Sequence, residues 1–199
     1  PVVGMVGLVE DLRLVGGLAW RQPGDAVLLL GVSTDERQDD RVGLAGSSYQ
    51  GVIHGLLTGR PPRVDLDLEL RVQALVRQAW DQGLLASAHD SSDGGLAVAL
   101  AEASIASGLG VDLQLHHGTT SWQRCLFAEG GARIVVSADS AKVESLQVLA
   151  QSAAVPLTSL GTVTEEPRFL LRSDSTAAID VSVSQLQQTH ADAIPRRMA

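Results

Sequence analysis

The stretch AHDSSDGGLAVAL at residues 88–100 constrains the fold of this chain more than any other. An apolar run at 84–88 leads into His89 and Asp90, then Ser91, Ser92, Asp93 and the pair Gly94-Gly95. An Ala/Leu-rich segment ending near Gly108 follows. That order reads as strand, tight loop, helix. Ser92 or Asp93 is the expected N-cap, because a short side-chain oxygen can accept from the free N–H groups of a first helical turn. The paired glycines let backbone or ligand approach without a Cβ in the way. N–H groups at such a helix start attract anions. Asp90 and Asp93 repel a bare phosphate, so a phosphate here requires a divalent cation between them. The same junction also occurs in α/β proteins that bind nothing at it. It is not a phosphate-binding P-loop, since no Gly-Lys-Ser/Thr follows, and the three-glycine dinucleotide spacing is absent.

A second junction lies at 126–137, LFAEGGARIVVS, where Glu129-Gly130-Gly131 leads into a strand over 132–137. Asp139 or Ser140 is then placed to cap a helix over 141–153. Upstream, residues 2–8 read as a Gly-punctuated strand and 26–32 (AVLLLGV) as a strand apolar on both faces. Residues 33–43 read as a polar loop or lid. A short amphipathic helix is expected within 44–59, with Tyr49, Val52, Ile53, Leu56 and Leu57 on its apolar side and His54 packed or at its edge. The clearest helix runs over 66–83, with Asp65 as cap, Leu70, Ala74, Leu75, Trp80 and Leu84 near its stripe, and Gly83 just past its end. Strands are expected at 111–115, 157–163, 168–171 and 179–183, and a last helix at 184–193, stopped before Pro195. The fold class is therefore α/β (α+β): a mixed sheet with packed helices, not a doubly wound parallel one.

Composition removes several classes of function. The net charge of −8 and the scatter of basic residues argue against nucleic acid and against an anionic membrane surface. Aromatic residues make up 3% of the chain, which leaves no stacking platform for single strands. The lone Cys125, set among Trp122, Leu126 and Phe127, excludes an internal disulfide and reads as a small buried hydrophobe. Adjacent His116 and His117 on a strand point to opposite faces and cannot chelate together. No run is long enough to span a bilayer, so a cytoplasmic location is expected. The chain opens inside an apparent strand without an initiator methionine, as expected of a piece of something longer.

Five stretches, PVVGMVGLVEDL, GSSYQGVIHG, PPRVDLDLE, SAHDSSDGGLAVALAEA and LFAEGGARIVVS, occur in an order and spacing that resembles one family. That family is the synthetase subunit of phosphoribosylformylglycinamidine synthase, within the wider group related to aminoimidazole ribonucleotide synthetase. The resemblance covers nearly the whole chain. It implies an enzyme that uses ATP and Mg2+ to activate the amide oxygen of formylglycinamide ribonucleotide, which ammonia from glutamine then displaces. It implies partners too: the rest of the synthetase, a glutaminase subunit and a small accessory subunit. In domain terms, residues 1–18 would be the last strand and tail of a preceding β-rich domain, and 19–199 a C-terminal α/β domain resembling that of aminoimidazole ribonucleotide synthetase. The catalytic histidine and the principal metal-binding acids of the family lie outside these residues, so no catalytic residue is expected in this chain. By correspondence with the first copy of the duplicated family fold, Asp90 is the candidate metal ligand. His89, Ser92, Asp93, Gly94, Gly95 and Glu129 are the candidate contacts of an auxiliary nucleotide site. Two other readings are a structural, partner-docking domain and another ATP-using enzyme of the group, of the selenophosphate synthetase, thiamine-phosphate kinase or hydrogenase maturation type.

Overall fold

The structure, a computed structural model, describes residues 4–9, 11–12, 15–33, 40–116, 120–173 and 176–198. The strands are β1 (Ala26–Gly31), β2 (Ser87–Asp90), β3 (Gly110–Leu115), β4 (Arg133–Ala138), β5 (Leu157–Thr164), β6 (Arg168–Ser173) and β7 (Thr176–Ser182). The helices are α1 (Ser48–His54), α2 (Leu66–Asp81), α3 (Gly95–Ser107), α4 (Trp122–Phe127), α5 (Val143–Ser152) and α6 (Val183–Met198), with a 3-10 turn at Ser140–Lys142 before α5. The strands form one sheet in the order β2-β4-β1-β5-β3-β6-β7. Every neighbouring pair is antiparallel except β3 and β6. This is the mixed sheet with packed helices that the sequence predicts.

Strand β1 shows why the sheet is covered on both sides. Val27 and Leu29 pack with Leu96, Leu100 and Leu113 in one core, while Leu28 and Leu30 pack with Leu68, Val72 and Leu75 in the other. Alternate residues of a strand point to opposite faces, so an uninterrupted apolar run needs a helix layer on each. One layer contains α3; the other contains α2 and α5. Helix α2 starts where expected, with the Asp65 carboxylate accepting from Leu68 N–H at 3.1 Å. It ends with Leu84 N–H bonded to Ala79 C=O and Gly83 N–H to Trp80 C=O, the double closure that a left-handed Gly83 permits. Its buried stripe is Leu68, Val72, Leu75 and Ala79. Leu70, expected on that stripe, is exposed instead, because it lies two positions from either of two buried residues and so faces away from them.

Several expectations need correction. Residues 4–9 form no strand, and Met5, Val6 and Leu8 stand in solvent; a strand needs a neighbour for its N–H and C=O groups, and the sheet ends at β2 and β7. Residues 1–3 lie outside the described set, as do 34–39 of the loop at 33–43, and His117. The strand expected at 84–88 is displaced to Ser87–Asp90, so His89 and Asp90 belong to the strand itself. Helix α1 is shorter than its apolar pattern, and Val52, Ile53, Leu56 and Leu57 are all exposed. His54 is an exposed edge residue against Tyr49, with ring centroids 5.6 Å apart. Helix α6 runs through Pro195 to Met198, although a proline there has no N–H to donate to the preceding turn. Helix α4 was not expected; the Ser121 side chain caps it by accepting from Arg124 N–H.

One core-edge acid carries a pH dependence. Asp25, at the entry to β1, is buried, with Oδ1 accepting from Gln22 Nε2 at 3.2 Å and Oδ2 without a hydrogen-bond partner among the described residues. Burial pushes its carboxyl above the ordinary aspartate value, against the Gln22 hydrogen bonds that lower it. The folded state therefore holds this proton more tightly than the unfolded state. The associated stability is present below the unfolded pKa and is lost as pH rises through the raised folded value. Thermal melts of Asp25→Asn against the parent should show a difference in Tm that moves in favour of the variant between pH 4 and pH 8. A difference independent of pH would contradict this account of Asp25.

Candidate functional site

The two junctions singled out in the sequence meet in space. β2 and β4 are antiparallel neighbours, with His89 opposite Val135 and Asp90 opposite Ile134. The loop after β2 and the glycine loop before β4 thus face one another across a cleft of about 490 Å3. Its walls are Asp90, Ser91, Ser92 and Asp93 on one side and Glu129 to Ile134 on the other, with Glu69 and Gln73 of α2 completing it. Four carboxylates, Glu69, Asp90, Asp93 and Glu129, therefore surround one space. Arg133, a buried cation in the same wall, donates from Nη1 to Ala128 C=O at 3.2 Å.

Each acid has a distinct setting. Asp90 is half of a local pair: Ser92 Oγ donates to its Oδ2, and His89 Nδ1 lies 3.5 Å from its Oδ1. The Ser92 hydrogen bond, helped by the neighbouring His89 and opposed by partial burial, holds the Asp90 carboxyl below the usual aspartate range. It is thus a charged acceptor at neutral pH. Glu129 is a tie. Its Oε1 accepts from Gly94 N–H at 2.8 Å and from Ser48 N–H at 2.7 Å, joining the starts of α3 and α1. Glu69 is a second tie, its Oε1 accepting from Ala132 N–H, where Ala132 sits at φ 55° in the left-handed region. Ser91 is buried in the cleft wall, with its Oγ lacking a hydrogen-bond partner among the described residues.

Of the residues named from the sequence, Asp90, Ser92, Asp93 and Glu129 are brought together at the cleft. His89 is not among its lining residues; its Nε2 lies 2.7 Å from Glu102 Oε2 on α3. Gly94 and Gly95 are not among the lining residues either. Gly94, not Ser92 or Asp93, is the N-cap of α3, and no side chain of its own loop caps the helix. Glu129 instead reaches across from the other junction to take the N–H of the cap residue, Gly94. A helix start filled by the protein's own carboxylate has less to offer a bare anion. Glu69 and Glu102 were not picked out from sequence. Glu69 closes the PPRVDLDLE stretch, and Glu102 lies in the run after the glycine pair, so their motifs were visible while their partners were not.

The donor set decides what the cleft can hold. Among the described residues no three His, Cys, Asp or Glu side chains are placed to hold a metal ion together. A metal cage supplied wholly by the described residues does not fit. An Mg2+ ion does fit if it arrives with phosphates, since magnesium keeps several waters and takes only one or two carboxylates alongside them. Asp90, ionised and exposed on its side-chain atoms, is the group suited to that contact.

Comparison with known proteins agrees with the motif reading. The family model for "AIR synthase related protein, C-terminal domain" matches residues 22–173. The subunit PurL of phosphoribosylformylglycinamidine synthase from Synechococcus sp. (strain WH7803) is 69% identical over 201 aligned residues, covering 100% of this chain and 26% of that protein. Its counterpart from Synechococcus sp. (strain CC9902) is 62% identical, again over 100% of this chain and 26% of its own length. The chain thus spans about a quarter of the curated relatives it matches. Among solved structures, phosphoribosylformylglycinamidine synthase II from Thermotoga maritima superposes with a TM-score of 0.71 at 17% identity, over 88% of this chain and 28% of that one. The T. maritima PurL structures include complexes with ATP and with FGAR, and a PurLQS structure. E. coli HypE, a hydrogenase maturation protein, shares the fold less closely, with a TM-score of 0.54 at 14% identity over 84% of this chain and 51% of that one. No helix among the described residues is long and apolar enough to cross a membrane. On the family match over most of its length and on its fold, the chain belongs to the AIR synthase related C-terminal domain family.

Proposed function

We propose that this chain is a domain of the ATP-dependent ligase that converts formylglycinamide ribonucleotide to formylglycinamidine ribonucleotide in de novo purine biosynthesis. The observation that carries this is the 69% identity to a PurL subunit along the whole chain. The 0.54 TM-score to a hydrogenase maturation protein supports kinship of fold without that identity, so the other ATP-using enzymes of the group are the weaker reading. Within the ligase, the acid cleft is an auxiliary site for a nucleotide carried with Mg2+. Asp90 meets the metal, Ser92 and Asp93 line the phosphate side, and Glu129 holds the two helix starts in place. The phosphorylating and ammonia-accepting chemistry is supplied by the remainder of the synthetase. Glutamine hydrolysis falls to a glutaminase partner, because it needs a cysteine paired with a base and Cys125 is buried. A small accessory subunit joins the same assembly.

A second reading, a structural and docking domain, is favoured by one feature: the carboxylate of Glu129 ties the Gly94 and Ser48 N–H groups together, a structural job within the protein. The two readings separate on one experiment. The full-length synthetase should form the amidine from formylglycinamide ribonucleotide, ATP, Mg2+ and ammonium, while this chain alone should give no turnover. Asp90→Asn in the full-length enzyme should remove one class of Mg2+-dependent nucleotide binding with little change in Tm. Unchanged nucleotide stoichiometry in that variant leaves the docking reading standing, and failure of the full-length enzyme to use formylglycinamide ribonucleotide overturns the ligase assignment itself.

A further inference from the structure

We propose that Glu69 is a positioning residue: through the backbone of Ala132 it holds the glycine wall of the cleft at its distance from Asp90, without touching the ligand itself. The inference rests on the reading of the cleft as a magnesium–nucleotide site. Asp90 stands opposite Ile134 in the pairing of β2 with β4, and β4 begins at Arg133. Ala132 is therefore the joint between the strand that faces Asp90 and the wall at residues 129–131, and its backbone angles set where that wall stands. Those angles are unusual. Among the described residues only Ala132 and Ala154 combine a side chain with positive φ, and Ala132 has φ 55°. A Cβ makes the left-handed region costly. Such outliers persist where the surroundings impose them, and they cluster at ligand sites.

Two hydrogen bonds impose this one. Ala132 C=O accepts from Val32 N–H at 3.1 Å, and Ala132 N–H donates to Glu69 Oε1. Only the second partner is a side chain, so it is the one that a substitution can remove. Glu69 is itself held from behind. Leu68 beside it is buried, which fixes this turn of α2 against the sheet, and Gln73 Nε2 lies 3.4 Å from Glu69 Oε2. The carboxylate also lies close against the wall, since a Cβ built on Gly131 would collide with it. The far end of the wall is pinned independently. Glu129 and Gly43 exchange N–H to C=O hydrogen bonds, both of 2.9 Å. With both ends held, the stretch between them keeps one shape opposite Asp90. Without Glu69, the end nearer Asp90 is released, because an alanine has no reason of its own to stay left-handed.

The test uses the full-length synthetase and equilibrium dialysis with Mg2+ and ADP, reading the binding class that Asp90→Asn removes. Glu69→Ala should weaken that class roughly 10-fold, the scale of outer-partner losses. Glu69→Asp keeps the charge but is a methylene shorter and falls short of Ala132. It should weaken binding to the same degree, and it serves if the alanine variant does not fold. Glu69→Gln should restore most of the affinity, because its amide oxygen still accepts from Ala132 N–H. A loss with glutamine equal to that with alanine would make the Glu69 charge a direct contact of the metal, and overturns the positioning role. In an Ala132→Gly background the left-handed backbone needs no support, so Glu69→Ala should cost less than about 3-fold there. An undiminished loss in that background overturns the route through Ala132. Val76→Ala, packed elsewhere along α2, controls for helix destabilisation and should lower Tm without altering the binding constant. Parent-like affinity in both Glu69→Ala and Glu69→Asp overturns the proposal while leaving the site in place. Binding unaffected by Asp90→Asn removes the site, and the proposal with it.

Discussion

Replacing Gly95 by alanine is expected to destabilise the protein by about 3 kcal/mol, the sum of an overpacking cost and a backbone cost. Gly95 opens α3 at φ +69°, and a Cβ built there stands 2.7 Å from Ala128 O, 2.9 Å from Leu126 O and 2.9 Å from the Phe127 carbonyl carbon. All three are backbone atoms of the second junction and cannot swing aside as a side-chain tip can. Gly108, at the other end of the same helix, provides the internal control. It has φ +73° with nothing within 4 Å of its would-be Cβ, so Gly108→Ala carries the backbone cost alone, about 1 kcal/mol. The difference between the two variants in denaturant unfolding isolates the contact between the junctions. Equal losses would show that α3 does not start against the segment at 126–128.

Glu129→Ala is the second large effect, at about 3 kcal/mol, because one oxygen accepts two backbone N–H groups and hydrogen bonds to a charged partner are worth about 1.5–3 kcal/mol each. For a protein of 199 residues that corresponds to a fall in Tm of roughly 10 °C. Glu129→Gln should recover a substantial part, since its amide oxygen can still accept from Ser48 and Gly94. Local opening should be confined to the tied elements, so hydrogen exchange of α1 and of the first turn of α3 should accelerate more than that of β1. If Glu129 served only as a ligand contact, the alanine variant would keep the parent's Tm and exchange pattern.

How much of this was legible in the sequence follows from the reach of each interaction. The β1 run AVLLLG is apolar at every position, so burial on both faces could be read directly. Asp65 and Gly83 lie within a turn of the ends of α2, and both capping roles were correct. The strand order was not legible. Residues 157–163 and 168–171 look like two strands across a turn, yet β3 lies between β5 and β6, pairing with both; no local pattern marks a strand some fifty residues upstream as the inserted partner. The candidate site divides the same way. The acids and glycines of the two junctions announced themselves as loop residues before and after strands. That Glu129 binds a backbone N–H 81 positions away, and that Glu102 anchors His89, depend on tertiary placement. The apolar side of α1 is legible as a stripe, but its exposure is not, because a 3.6-residue period is the same whether or not the fold covers it.

On the proposed reading, the space between the two junctions holds a magnesium–nucleotide with Asp90 on the metal. A crystal structure of the full-length synthetase grown with Mg2+ and ADP tests it most directly. The account predicts nucleotide density in this cleft, with a metal ion in coordination distance of the Asp90 carboxylate and His89 still paired with Glu102. Nucleotide bound elsewhere in the synthetase, with this cleft filled by another segment of the enzyme, would contradict it.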